Sequence, residues 1–583
     1  MQFRALVSLG HIGAAAMNIR AVLLAFAALA APAAAQDMGG MAMPPPMPAM
    51  TMPPMPAVYM GQADKPGAPV FTGLGNLHHK ISTTNAETQK FFDQGVNLLI
   101  GFNHAEAIRS FREGARLDPY CAMCWWGLAF ALGPNINLPM PDDAVAPAWA
   151  ALKMAQSLKG YASPEEQQWI DALATRYSEM AVPDRASLDE AFAKAMGKLW
   201  HDNPDDLEAG VFYAEAMMDT QPWDYWQSDH KTPKGHGAEI VSTLEGIIAR
   251  APNHPGALHL YIHAVEASMT PERAEAAADK LEPLMPDAGH IVHMPSHIYY
   301  RVGRYADAAR VNELAARTDE TYIAECKAQG YYPLGYYGHN IHFLWTSSEM
   351  QGRYGAAIDA AHRLVKATDA YDTAKNLAVV ELYGFTPVAT ELRFGKWDAV
   401  LAEKRPPVEL ALDNAVSLYA RGFAYANNGN LKAARRDRAL LAALPVDAVR
   451  YAPFQMPATQ MAALALALLD GEIARKSGHL DLAIADFTKA RAMELALSYT
   501  EPPYWHQPVS HLLGAALMQA HRSAEAETVY RDSLTRYRTD GWAMFGLAQA
   551  LAAQGKKDEA AAARKDFAAA WTLADVTLTS SRF

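Results

Sequence analysis

His259, His263 and Glu266 follow at intervals of four and three in ALHLYIHAVEAS. His293 and His297 repeat the interval of four in HMPSHIYY, with His290 one turn earlier. Residues three and four apart share a helix face, so each set presents its side chains together. The pair also recurs in phase, since His259 and His293, like His263 and His297, are 34 residues apart. Imidazole suits Zn, Cu, Fe and Ni. His259, His263, His293 and His297 are therefore read as ligands of a transition metal (Zn, Cu or Fe). Glu266 is read as a fifth ligand or as a base acting on a metal-bound water. Three protein ligands plus water make such a site catalytic, and a filled tetrahedron makes it structural. The same spacing also serves histidines bonded to Tyr and Glu around a polar ligand, or histidines that only pack, and at this level those alternatives stay open.

The elements that must position these side chains are helices. From Glu87 onward Ala, Leu, Glu, Lys and Arg dominate and no alternating strand pattern appears. A period of 34 belongs to helix–turn–helix solenoids. In FFDQGVNLLIGFNHAEAIRSFREGARLDP, Gly95, Ala107, Phe111 and Pro119 stand at the spacing of a tetratricopeptide repeat, and Trp125 and Leu128 open the next unit. Ala274, Pro286 and Ala308 continue the phase, and Gly352/Ala357, Gly422/Ala434, Gly471/Ala483/Phe487, Gly514/Ala526/Tyr530 and Ala560 mark later units. The chain resembles the tetratricopeptide repeat family over most of residues 87 to 570. The resemblance implies an all-α, right-handed α-α superhelix whose first helices line a concave groove through their positions 5, 9 and 12. It places His259, His263 and Glu266 there, then His293, His297 and Tyr300, then His342. Helices packed roughly 8–10 Å apart let side chains from adjacent units meet at one ion. Glu215 and Asp219, four apart before a long loop, join the groove upstream, and His290 and His342 complete its ligand-facing set.

The register breaks at 134–147, 219–237, 329–340 and 498–508, which are rich in Pro, Trp, Tyr and Gly. Long aromatic insertions are where binding and catalysis concentrate. His104, His506 and His511 lie too far along the solenoid to join the site unless the superhelix curls. Cys121 and Cys124 suit a local disulfide or packing. Trp125 stands where a covalent haem would need His, so no covalent haem is expected.

Composition bounds the rest. The 583 residues are 51% apolar and carry a formal charge of -12 with no basic stripe, which argues against a nucleic-acid partner. Residues 1–35 read as a signal peptide: Arg20, an apolar run from Ala21 to Ala31, and Ala33-Ala34-Ala35 before Gln36. A periplasmic or secreted protein is expected, without an integral membrane segment. Residues 36–75 read as a disordered Met/Pro-rich linker, with eight methionines and seven prolines between Met38 and Met60. Thioethers suit Cu(I). Helical regions follow at 76–240, 241–366 (bearing the histidines) and 367–583. The first functional reading is a binding protein whose groove holds a metal, a peptide or protein partner, or a small polar ligand, with copper handling as one version. The second is a metal-dependent hydrolase or oxidoreductase. An open groove favours the first, and a groove capped by 219–237 and 329–340 favours the second.

Overall fold

The computed structural model describes residues 52–59, 61–180 and 184–583. The expected signal peptide and residues 36–51 of the Met/Pro segment lie outside the described residues. Helix pairs stack from Ala86–Ile100 to Lys557–Ala570 as an all-α superhelix. Among the described residues there is no strand, only the isolated bridges Asn135–Leu138 and Trp226–Pro233. No described helix is long and apolar enough to cross a membrane.

Local chemistry sets the helix starts. Asn85 accepts from the Glu87 and Thr88 amides, Asn103 from Glu106, and Asp206 from Ala209. His254 caps the helix Pro255–Glu266, with Pro255 at its first position. Each cap satisfies an amide that the helix itself leaves unpaired. The repeat pattern then sets the packing. Ala107, Ala274, Ala308, Ala357, Ala434, Ala483, Ala526 and Ala560 are all essentially inaccessible. The buried Phe111 ring wedges between two helices against Gly95 and Gly127. A Cβ on either glycine would lie 2.5 or 2.4 Å from that ring, so both positions require the missing side chain.

The described residues form one compact body, so the regions 76–240, 241–366 and 367–583 are stretches of it rather than separate domains. Residues 52–59 and 61–75 are not a free linker. Met55, Tyr59, Ala63 and Leu74 are buried, the Phe71 amide donates to Gln94 Oε1 (2.9 Å), and Arg112 donates to the Ala63 carbonyl (2.6 Å). Proline density keeps this strap out of a long helix, and its apolar side chains bind it to the body.

The superhelix curls. Arg538 pairs with Glu272 (2.7 Å), Trp542 Nε1 donates to the Glu349 carbonyl (3.0 Å), and Asp575 accepts from the Tyr354 and Gly355 amides (2.7 and 2.8 Å). From the other end, Gly73 O accepts from Asp287 N (3.1 Å). Both ends of the array thus press on its middle. Cys121 and Cys124 are joined by a disulfide.

Candidate metal centre

The middle of the array holds six histidines in two groups of three. His259 and His263, from Pro255–Glu266, meet His290 from the short helix Gly289–His293. His293 and His297 meet His339, near the start of Gly338–Met350. Five of the six are buried to at least 97%, and His339 is half-buried. Ring centroids lie 4.9–6.1 Å apart within the first group and 4.7–5.6 Å within the second. Between groups, His263–His297 and His290–His293 are 5.5 and 5.8 Å apart.

Hydrogen bonds fix the rings. Glu266 reaches both groups, accepting from His263 Nδ1 on Oε1 (2.9 Å) and from His297 Nδ1 on Oε2 (2.5 Å). His293 Nδ1 donates to Asn312 Oδ1 (2.6 Å); the amide nitrogen of Asn312 donates to the Ala308 carbonyl, so the oxygen faces the ring. With Nδ1 carrying the proton in all three rings, neutral imidazoles turn Nε2 lone pairs inward. Those lone pairs converge. His293 Nε2 and His297 Nε2 are 2.9 Å apart, His290 Nε2 and His259 Nε2 are 3.2 Å apart, and the buried His263 Nε2 has no hydrogen-bond partner. Two facing lone pairs at 2.9 Å repel unless a proton or a metal ion lies between them, whereas His290, whose Nδ1 is buried without a partner, can also carry its proton on Nε2 and donate to His259 at 3.2 Å. With metal–nitrogen bonds of about 2.0–2.1 Å, two imidazoles on one ion set their nitrogens roughly 2.9 Å apart at a right angle and about 3.4 Å apart in a tetrahedron. Both observed separations fall in that window, so the donor set fits a transition metal.

The electrostatics favour neutral rings for five of the six histidines. Burial, helped by neighbouring imidazoles, holds His259, His290, His293 and His339 well below the ordinary range. Burial also lowers His263 despite Glu266. His297 is the exception: burial opposes its charge, but Glu266 and Glu501 raise it to about 9. Burial alone would raise Glu266, yet His297 and His263 hold it below the usual carboxylate range. A proton shared by His293 and His297 is therefore the alternative to a metal on that group.

Loops and turns close the site. Phe102 lies against His259 (4.7 Å) and His290 (5.2 Å), and the Trp223 ring meets His263 at 5.0 Å, edge to face. Both residues have left-handed backbones (φ 53° and 66°), a conformation that costs non-glycine residues on the order of 1–3 kcal/mol and that clusters at functional sites. Trp223 Nε1 donates to the Ile136 carbonyl (2.8 Å), which ties the insertion 219–237 to 134–147. Tyr336, from 329–340, packs on His290 at 4.9 Å. Glu501, from 498–508, puts Oε2 3.6 Å from His297 Nδ1. Three of the four irregular segments thus cover or border the histidines and the fourth, 134–147, is tied to one of them, so that the histidines face a closed interior instead of an open groove.

Of the residues singled out in the sequence, His259, His263, His290, His293, His297 and Glu266 are brought together. Glu266 turns one oxygen to each of two Nδ1 atoms and so braces both rings, and with His297 and Glu501 it forms a third buried set whose ligand atoms lie within 4.8 Å of one another. His342 stands apart, stacked on Trp345 (5.2 Å) and pushed down to about 3 by burial. The preceding helix, Tyr305–Cys326, runs 22 residues against 14 in His104–Leu117. A π-helical turn then follows at Pro333–Tyr337. Together they shift the next helix out of register, so that His339 reaches the cluster. Tyr300 packs on Phe343 and Tyr305. Asp219 pairs with the buried Arg176 (2.6 Å), and burial raises the nearby Glu215 to about 7; these acids form a neighbouring cluster. His104 bonds Ala131 O and Asn135, His511 meets Asp540, and His506 packs beside Trp505, all outside the two groups.

No protein-family model matches this chain, and no curated protein matches it. Among solved structures it is similar to a human IFIT1 dimer with m7Gppp-AAAA (12% identity, 83% of this chain and 90% of that one, TM-score 0.31). It is also similar to the APC/C hetero-tetramer Cut9-Hcn1 (12% identity, 83% and 87%, TM-score 0.27). At that level of likeness, function has to be read from the site itself.

Proposed function

We propose that this protein is a metal-dependent enzyme whose curled helical superhelix encloses a two-ion centre. His259, His263 and His290 would hold one ion and His293, His297 and His339 the other. The carrying observation is the convergence of three imidazoles in each group, with Nε2–Nε2 separations of 3.2 and 2.9 Å, beside the outward bonding of Nδ1 in His263, His293 and His297. An all-imidazole donor set takes copper most tightly among the divalent first-row metals. The Met/Pro segment at 36–75 adds soft ligands suited to Cu(I), and the leader-like residues 1–35 suit a periplasmic or secreted location. Copper would supply one-electron chemistry at the centre, so an oxidoreductase is favoured over a hydrolase. Burial of the histidines supports a small-molecule substrate more than a peptide laid along a groove. The chain's own part is to brace the rings through Glu266 and Asn312 and to exclude water through Phe102, Trp223 and Tyr336.

Elemental analysis of the purified protein, beside a His259→Ala/His293→Ala variant, tests this. The expectation is two equivalents of copper, lost in the variant. One equivalent would reduce the centre to a single shared ion. No metal after loading with Cu, Zn or Fe would leave a proton-bridged histidine cluster and sink the proposal.

A further inference from the structure

Beside the centre lies a second feature with its own chemistry. A cleft of about 110 Å³, open to solvent, runs between the segment 494–505 and Arg301. Three arginines line it: Arg301, Arg536 and Arg538. Arg538 is neutralised by Glu272 (2.7 Å). Arg301 lies 3.8 Å from Glu501, donates Nη2 to the Ser268 carbonyl (2.9 Å), and keeps a buried Nε without a hydrogen-bond partner. Arg536 has no carboxylate within ion-pair distance among the described residues. Glu494, also in the wall, accepts from the Val509 amide (3.1 Å). Three arginines thus meet Glu494 and Glu501 in the lining and Glu272 at Arg538, and Arg536 is the one guanidinium of the cleft left without an ion-pair partner among the described residues. Its other walls are aromatic: Tyr499, Tyr504 and Trp505. Arg301 lies over the Tyr499 ring, 5.5 Å from its centroid.

The floor of the cleft is Glu501. Its Oε1 accepts from Tyr499, and its Oε2, buried and without a hydrogen-bond partner, points at His297. The wall between cleft and histidines is therefore one side chain thick. We propose that this cleft binds a small single-ring aromatic carboxylate as the organic substrate of the histidine centre. Size sets the class, since a cavity of roughly 150 Å³ takes a benzene ring. A cleft of about 110 Å³ that opens to solvent seats most of one ring between its walls, with the remainder toward water. Charge sets the rest: guanidinium forks match a carboxylate, and a ring packs on the tyrosine and tryptophan faces. Only the word substrate rests on the metal reading, because the cleft exists without it.

The test is calorimetric titration of the full chain, stripped of metal by chelation, with 4-hydroxybenzoate as probe. Saturable one-to-one binding is expected, at least tenfold weaker for phenol and at least tenfold weaker in Arg536→Gln. Arg536 is exposed, so that variant leaves the fold intact. No saturable binding, equal binding of phenol, or an unaffected Arg536→Gln would each overturn the proposal. Metal stoichiometry on the same preparations separates the two readings. Binding without metal uptake would sink the centre alone, and metal uptake without binding would sink the cleft alone.

Discussion

At the residue scale, Glu266 decides how the centre is built. Its two oxygens receive one Nδ1–H from each histidine group, so one carboxylate fixes two tautomers. Glu266→Gln keeps the shape but turns an amide N–H toward one of those donors. Partners of metal ligands typically carry 10–100-fold in affinity; a loss of that size is expected, with stoichiometry retained, in competition against a calibrated chelator. Unchanged affinity would remove Glu266 from the centre. His339 and His342 make a sharper contrast, three residues apart on one helix. His339→Ala should lower metal occupancy, whereas His342→Ala, which disturbs packing on Trp345 and Tyr383, should leave it whole. Elemental analysis of the two variants reads this directly, and the reverse result would place the second group wrongly.

At the scale of elements, the repeat governs what could be foreseen. The alanines and Phe111 are legible because each helix pair repeats one packing problem, and 34-residue spacing carries His259 and His263 onto His293 and His297. His290 is legible as their neighbour by one turn. His339 is not, because the longer second helix and the π-helical turn break the count that points to His342. Phe102 and Glu501 are not legible either: they arrive from helices and loops distant in sequence, through a curl that repeat phase does not encode. Two predictions belong here. Phe111→Ala removes the wedge between two helices and should cost about 3–5 kcal/mol, read by denaturant unfolding, without altering metal content in the folded protein. Trp223→Gly relaxes a left-handed backbone while uncovering His263. Release of metal to a chelator should quicken at unchanged stoichiometry, and an unchanged release rate would deny the loop its covering role.

At the scale of the whole molecule, the last residues clamp the array. Arg582 donates to Glu472 (2.7 Å), as does Arg475 (2.7 Å). Burial would raise Glu472, but Arg582 and Arg475 override it and bring it to about 2, below its ordinary 4.5. A carboxylate depressed by folding stabilises the native state above its unfolded value and loses that contribution as pH falls toward the folded one. The stability gap between the native chain and Arg582→Met should therefore be widest above about pH 4.5 and close toward pH 2 in acid-unfolding curves; a gap independent of pH would discount the clamp. The same closure of both ends on the middle has a consequence in time. Residues that complete or cover the histidines range from Phe102 to Glu501, so everything between them must be synthesised and folded before the pocket is complete. On the metal reading, a chain not yet closed at both ends presents five of the six histidines from one continuous stretch but without their cover, so an ion taken up early stays open to exchange until the ends come in.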